Sequence, residues 1–87
     1  MKYVMFDIDG IEIPVVFPEM IQHHQVVAPV VLSWSVPATP VSAGKLTVYT
    51  KLDDTTIVYE AHGESISLKL KSRPEDSGII TRFFENF

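Results

Sequence analysis

The sequence has no cysteine, so neither a disulfide nor a thiolate metal site is available to staple it. It is also short. Its 87 residues make one domain, 1–87, and a domain of this size buries only somewhat more than ~60% of its unfolded surface. Positive charge is scarce: seven Lys and Arg against eleven Asp and Glu leave a net charge of −4. That balance argues against nonspecific binding to nucleic acid or to anionic membranes. No apolar leader is visible, because Asp7, Asp9 and Glu12 interrupt the first strand-like residues, and a cytoplasmic protein is the expectation. From Val26 to Gly44 charge is missing altogether. Pro29, Pro37 and Pro40, with the hydroxyls of Ser33, Ser35, Thr39 and Ser42, exclude a membrane span there. The stretch reads as an extended apolar segment in which Leu32, Trp34 and Val36 alternate with serines. With 46% hydrophobic residues in so small a chain, a protein partner or self-association is expected.

The local patterns that are present give an α+β domain: a mostly antiparallel sheet of four to five strands with a helix across one face. Asp9-Gly10 suits a two-residue hairpin turn. It places Ile8 against Ile11, Phe6 against Ile13 and Val4 against Val15 on one face of a hairpin over 2–17. Tyr3 and Met5 then lie on the opposite, exposed face, with Asp7 across from Glu12. Pro18 and Glu19 suit the start of a short helix over 18–26, with Met20, Ile21 and His24 inward. A second hairpin over 41–70 is expected, with a turn at 53–56 and a β-bulge near Gly63 that restores phase before Ile66, Leu68 and Leu70. Ser72 and Glu75 form a capping-box pattern. Ile79, Ile80, Phe83, Phe84 and Phe87 make the apolar stripe of an amphipathic helix over 73–85.

Phe6-Asp-Ile-Asp-Gly10 resembles the first motif of the haloacid-dehalogenase phosphatases. That resemblance implies Asp7 as nucleophile and Asp9 as acid–base partner, a remote alternative. Ile11 stands where the family usually has Thr, and the chain turns straight into a second strand with no crossover helix. A calcium loop fails for want of oxygen ligands at alternate positions. His23 and His24 are adjacent rather than four apart, so no metal site is expected, and no cofactor. His62 beside Glu64 and Ser65 lacks a nucleophile turn. Lys69, Lys71 and Arg73, running into Ser72 at a helix start, form a candidate anion- or nucleic-acid-binding site.

Pro40-Val-Ser-Ala-Gly44, the segment Gly63 to Asp76 and Phe17-Pro18-Glu19 resemble short proteins encoded by tailed bacteriophages and prophages. The resemblance implies a source, and with it a class of small proteins that bind and modulate host or phage proteins. The sequence therefore points to a non-enzymatic protein-binding module with no catalytic residue. Its contact residues are expected among Leu32, Trp34, Val36, Tyr3 and Met5, its partner is a protein or a second copy, and Asp7, Asp9, Glu12 and Glu19 form an acidic surface.

Overall fold

The computed structural model describes residues 1–53 and 55–86. Strands β1 (Lys2–Ile8), β2 (Ile11–Phe17), β3 (Ala38–Thr50) and β4 (Ile57–His62) form an antiparallel sheet in the order β2-β1-β3-β4. The first hairpin has the expected register, with Ile8 opposite Ile11, Phe6 opposite Ile13 and Val4 opposite Val15. Asp9 and Gly10 turn it with φ of 55° and 83°, the left-handed pair that a two-residue hairpin requires. β3 runs along the other edge of β1 and carries a bulge where the register shifts between Met5 and Phe6.

β1 is thus a central strand, and both of its faces are buried. On one face Val4, Phe6, Ile8, Phe17, Ala38 and Ala43 form a core. Val26, Val27 and Val30 of helix α1 (His23–Ser33) pack onto it. On the other face Tyr3, Met5 and Leu46 pack with Ile80 of helix α2 (Asp76–Glu85), flanked by Val16, Ile79 and Phe84. Tyr59 stacks on Phe84 with ring centroids 5.3 Å apart.

Several sequence expectations are corrected. The helix expected over 18–26 begins later, at His23, and runs on to Ser33, so the strand expected around Leu32 is helical there. Pro18 instead opens a turn in which Ile21 N–H donates to its carbonyl at 3.1 Å, and Gln25 Oε1 accepts from Gln22 N–H at 2.9 Å as the helix starts. Pro29 sits inside the helix, on its solvent side, where water can satisfy the carbonyl that Pro cannot. His23, not His24, is the inward residue, and Met20 is exposed.

The long return strand stops at His62. Gly63 (φ 74°) leads into a separate two-stranded hairpin, β5 (Glu64–Ser65) and β6 (Leu70–Lys71). Residues 66–69 are its turn: Ser65 Oγ accepts from Leu68 N–H, Lys69 takes φ 56°, and Ile66 is left exposed. The C-terminal helix starts at Asp76 rather than 73. The Ser72 N–H donates to Gly63 O instead of Ser72 capping that helix. Of the expected residues, Asp54 in the distal turn and Phe87 in the helix stripe lie outside the described residues. No helix of the described residues is long and apolar enough to cross a membrane.

Candidate interaction surface

α1 carries two apolar faces. Its inner face is set by Val26, Val27 and Val30 against the sheet, with His23 at its start. His23 Nε2 lies 2.9 Å from Gly44 O, and the ring meets Phe17 edge-on at 5.3 Å. Lys2 Nζ donates to Ile21 O at 3.0 Å, pinning the turn before the helix to β1. The outer face is the stripe Gln25, Ala28, Pro29 and Leu32, spaced i, i+3, i+4, i+7, and all four are exposed. Val31 and Leu32 extend it toward Trp34 and Val36. Leu32 is 85% exposed and Trp34 46%. A helix apolar on both sides is ordinarily buried on both, yet this chain covers only one.

The expected contact residues Leu32, Trp34 and Val36 are all exposed, at the last turn of α1 and just beyond it. Tyr3 and Met5 are not. Each is 0% exposed, because β3 and α2 cover the hairpin face that the first seventeen residues alone leave open. They are removed from the contact surface.

Arg73 is also removed from the candidate anion site. Its guanidinium donates to Glu12 through Nη2 to Oε1 at 2.7 Å and Nη1 to Oε2 at 3.1 Å, and through Nε to Asp76 Oδ1 at 2.9 Å. A cation held by two carboxylates has no charge left for a phosphate. Lys69 sits on the β5–β6 turn and Lys71 on β6, and Ser72 is used by Gly63, so the four residues build no helix-end anion cradle.

Asp76 is the hub of this network and was not legible as such. It is 0% exposed and accepts from the Tyr3 hydroxyl at 2.6 Å and from Arg73 N–H at 3.0 Å. Burial alone raises its pKa. The bonds from Tyr3, the Arg73 backbone, Ser42 and the Arg73 side chain outweigh burial and hold its carboxyl below the usual range. Ser42 Oγ, fully buried, is geometrically the weakest member of this set, since it meets no partner at full hydrogen-bond geometry. Burial and the Asp76 carboxylate push the Tyr3 phenol well above its ordinary value. The Arg73 hydrogen bonds draw Glu12 downward.

These directions fix a pH profile. The depressed carboxyls contribute stability that is complete above the unfolded carboxylate range and lost as pH falls through their folded values. The raised Tyr3 contributes stability that is complete below the unfolded tyrosine value and lost as pH rises beyond it. The melting temperature is expected to be nearly flat from about pH 5 to about pH 9 and to fall on both sides. Thermal melts across that range check it. Tyr3→Phe should shrink the alkaline limb, and an undiminished limb contradicts the assignment.

The acidic residues are similarly engaged. Glu19 pairs with the Met1 amine at 3.1 Å, and Asp7 Oδ1 accepts from Gly10 N–H at 2.9 Å, locking the turn. Of the expected acidic surface, Glu12 and Glu19 are ion-paired, while Asp7 and Asp9 have no cation partner among the described residues. On the α2 side, a shallow apolar cleft of about 550 Å³ opens between Val16, Val48, Tyr59 and Phe83. Among the described residues no three His, Asp or Glu side chains gather where they would hold a metal ion. Comparison with protein-family models, with curated proteins and with solved structures finds no match to this chain.

Proposed function

We propose that this chain is a small protein-binding module, of the phage-encoded modulator kind that its sequence resembles, acting by contact rather than catalysis through the outer face of α1. The observation that carries the reading is that α1 is apolar on two faces while its own sheet covers one. Leaving Val31, Leu32, Trp34 and Val36 in water forgoes roughly 25 cal/mol for each Å² of apolar surface. An uncharged stretch from Val26 to Gly44 places no charge in the contact that would need desolvation. The carboxylates of the phosphatase-like motif support the same reading, since Asp7 is spent on the turn amide and Asp9 is a turn residue.

The test is capture from an extract of the source cell, run in parallel with wild type and Leu32→Glu. Leu32 is exposed, so the variant should melt with wild type. Proteins retained by wild type, including the chain itself, are expected to be lost by Leu32→Glu. The same set retained by both overturns the assignment to α1.

A further inference from the structure

We infer that β3, where it runs on past the end of β1, takes up an extended segment of another protein as an added strand. This site is separate from the outer face of α1 and does not depend on it. Backbone parity identifies the opening. Leu46 N–H donates to Met1 O at 2.8 Å and Leu46 O accepts from the Met1 amine at 3.2 Å, so both polar groups of Leu46 point to the β1 side. Peptide groups alternate sides along a strand, so those of Val48 and Thr50 point the same way, while Thr47 and Tyr49 pair with Glu60 and Val58 of β4. The pairing of β3 with the β1 side ends at Met1 opposite Leu46. Val48 and Thr50 therefore each hold an N–H and a C=O with no partner among the described residues, in the line of an inner strand.

The outer edges of the sheet are blunted and this one is not. On β4 the outward Ala61 N–H donates to Ser77 Oγ at 2.9 Å, and on β2 Pro14 has no N–H to offer. Residues 47–50, Thr-Val-Tyr-Thr, are exposed, strand-forming and free of the charge or proline that ordinarily closes an edge. What such a row recognises is another extended backbone. Directly opposed residues share a face of the sheet. The residue set opposite Val48 thus delivers its side chain to the α2 face, where Val48 and Tyr59 floor the apolar cleft and Met1 and Phe83 border it. That place calls for an apolar side chain. A second copy offering its own β3 antiparallel fits poorly. Met1 fills the place opposite Leu46, so setting Thr50 of the copy against Val48 drives its Leu52 into Met1. The next register out pairs Thr50 with Thr50 and leaves Val48 facing the distal turn.

The probe is the capped peptide acetyl-Glu-Val-Thr-Leu-Thr-amide, whose Leu is designed to lie opposite Val48 and whose Val is designed to lie opposite Thr50. Amide hydrogen exchange by NMR is the readout. In the free chain Thr47 and Tyr49 should exchange slowly and Val48 and Thr50 fast. Millimolar peptide should slow Val48 and Thr50 by ~10-fold or more and leave Thr47 and Tyr49 as they were. Methylating the peptide's Leu nitrogen removes a ladder bond and should weaken binding ~10-fold. Methylating the nitrogen of the Thr before it, which points away from β3, should cost far less. Val48→Lys, at an exposed position, should melt like wild type and lose the peptide, whereas Leu32→Glu should keep it. No protection at millimolar peptide overturns the inference, as does protection that survives methylation of the Leu nitrogen. Protection of Val48 and Thr50 that grows with chain concentration alone would make the occupant a second copy and overturn the foreign segment.

Discussion

Asp76→Ala is expected to cost about 3–5 kcal/mol, the loss typical of removing one partner from a buried ion pair. Against the ~5–15 kcal/mol that holds a small domain together, that is about a fifth or more of its stability. In a chain of this length it corresponds to a fall in Tm of about 15 °C or more. The reason is positional. Asp76 takes bonds from Tyr3 on β1 and from both the backbone and side chain of Arg73, while Arg73 in turn holds Glu12 on β2. Without the carboxylate, the Tyr3 hydroxyl is a buried donor with no acceptor and Arg73 keeps Glu12 and the more distant, exposed Glu75. Asp76→Asn retains an acceptor for Tyr3 and should cost less, about 1–3 kcal/mol. An exposed acid at a helix start would matter by less than about 1 kcal/mol. A chemical-denaturation loss that small in Asp76→Ala would refute the hub.

Gly44→Ala is expected to destabilise by about 3 kcal/mol, at the upper end of the overpacking range. The added Cβ falls inside contact distance of the His62 carbonyl oxygen, with Gly63 backbone atoms 3.3 Å away. Those are backbone atoms at the end of the β3–β4 pairing and cannot rotate aside. The same residue pairs with Tyr3 on β1, and its carbonyl receives His23, so a shift there loosens α1 as well. Gly10 makes the contrast. Its φ of 83° disfavours any side chain, yet nothing lies within 4 Å, so Gly10→Ala meets only backbone strain of about 1–2 kcal/mol. Denaturation of both variants checks the order, and hydrogen exchange should show faster α1 amides in Gly44→Ala alone. Equal losses would mean that the close approach at His62 is relieved elsewhere.

What could be read from the sequence follows the range of the interactions. The register of the first hairpin was legible from six alternating residues, Val4, Phe6, Ile8, Ile11, Ile13 and Val15, and one Asp-Gly turn. The α2 stripe was legible because Ile79, Ile80, Phe83 and Phe84 repeat at helical spacing. The burial of Tyr3 and Met5 was not, since it depends on β3 arriving along the far edge of β1 some 40 residues later. α1 misled for a physical reason. Its valines and Pro29 favour extended structure locally, and only the anchors at His23 and Lys2 and the packing of Val26, Val27 and Val30 make the helix worthwhile. Their i, i+1, i+4 spacing was the available signal. The β5–β6 turn was hidden by a strand-like alternation that Ser65 Oγ and the left-handed Lys69 break. Arg73 read as a free cation because its partner Glu12 lies 61 residues away.

The contact surface proposed from the structure differs from the one expected from the sequence. Leu32, Trp34 and Val36 are exposed at the last turn of α1 and just beyond it, and the stripe of Ala28 and Pro29 that adjoins them emerged only with the helix. Because Trp34 is the sole tryptophan, acrylamide quenching of its fluorescence reads the cover on that face directly. Trp34 should be quenched freely in the dilute chain. It should become shielded when wild type is bound to a captured protein, and stay open in Leu32→Glu under the same conditions. A Trp34 already shielded in the dilute monomer, or one quenched equally under all of them, would contradict the claim that α1 presents its outer face for binding.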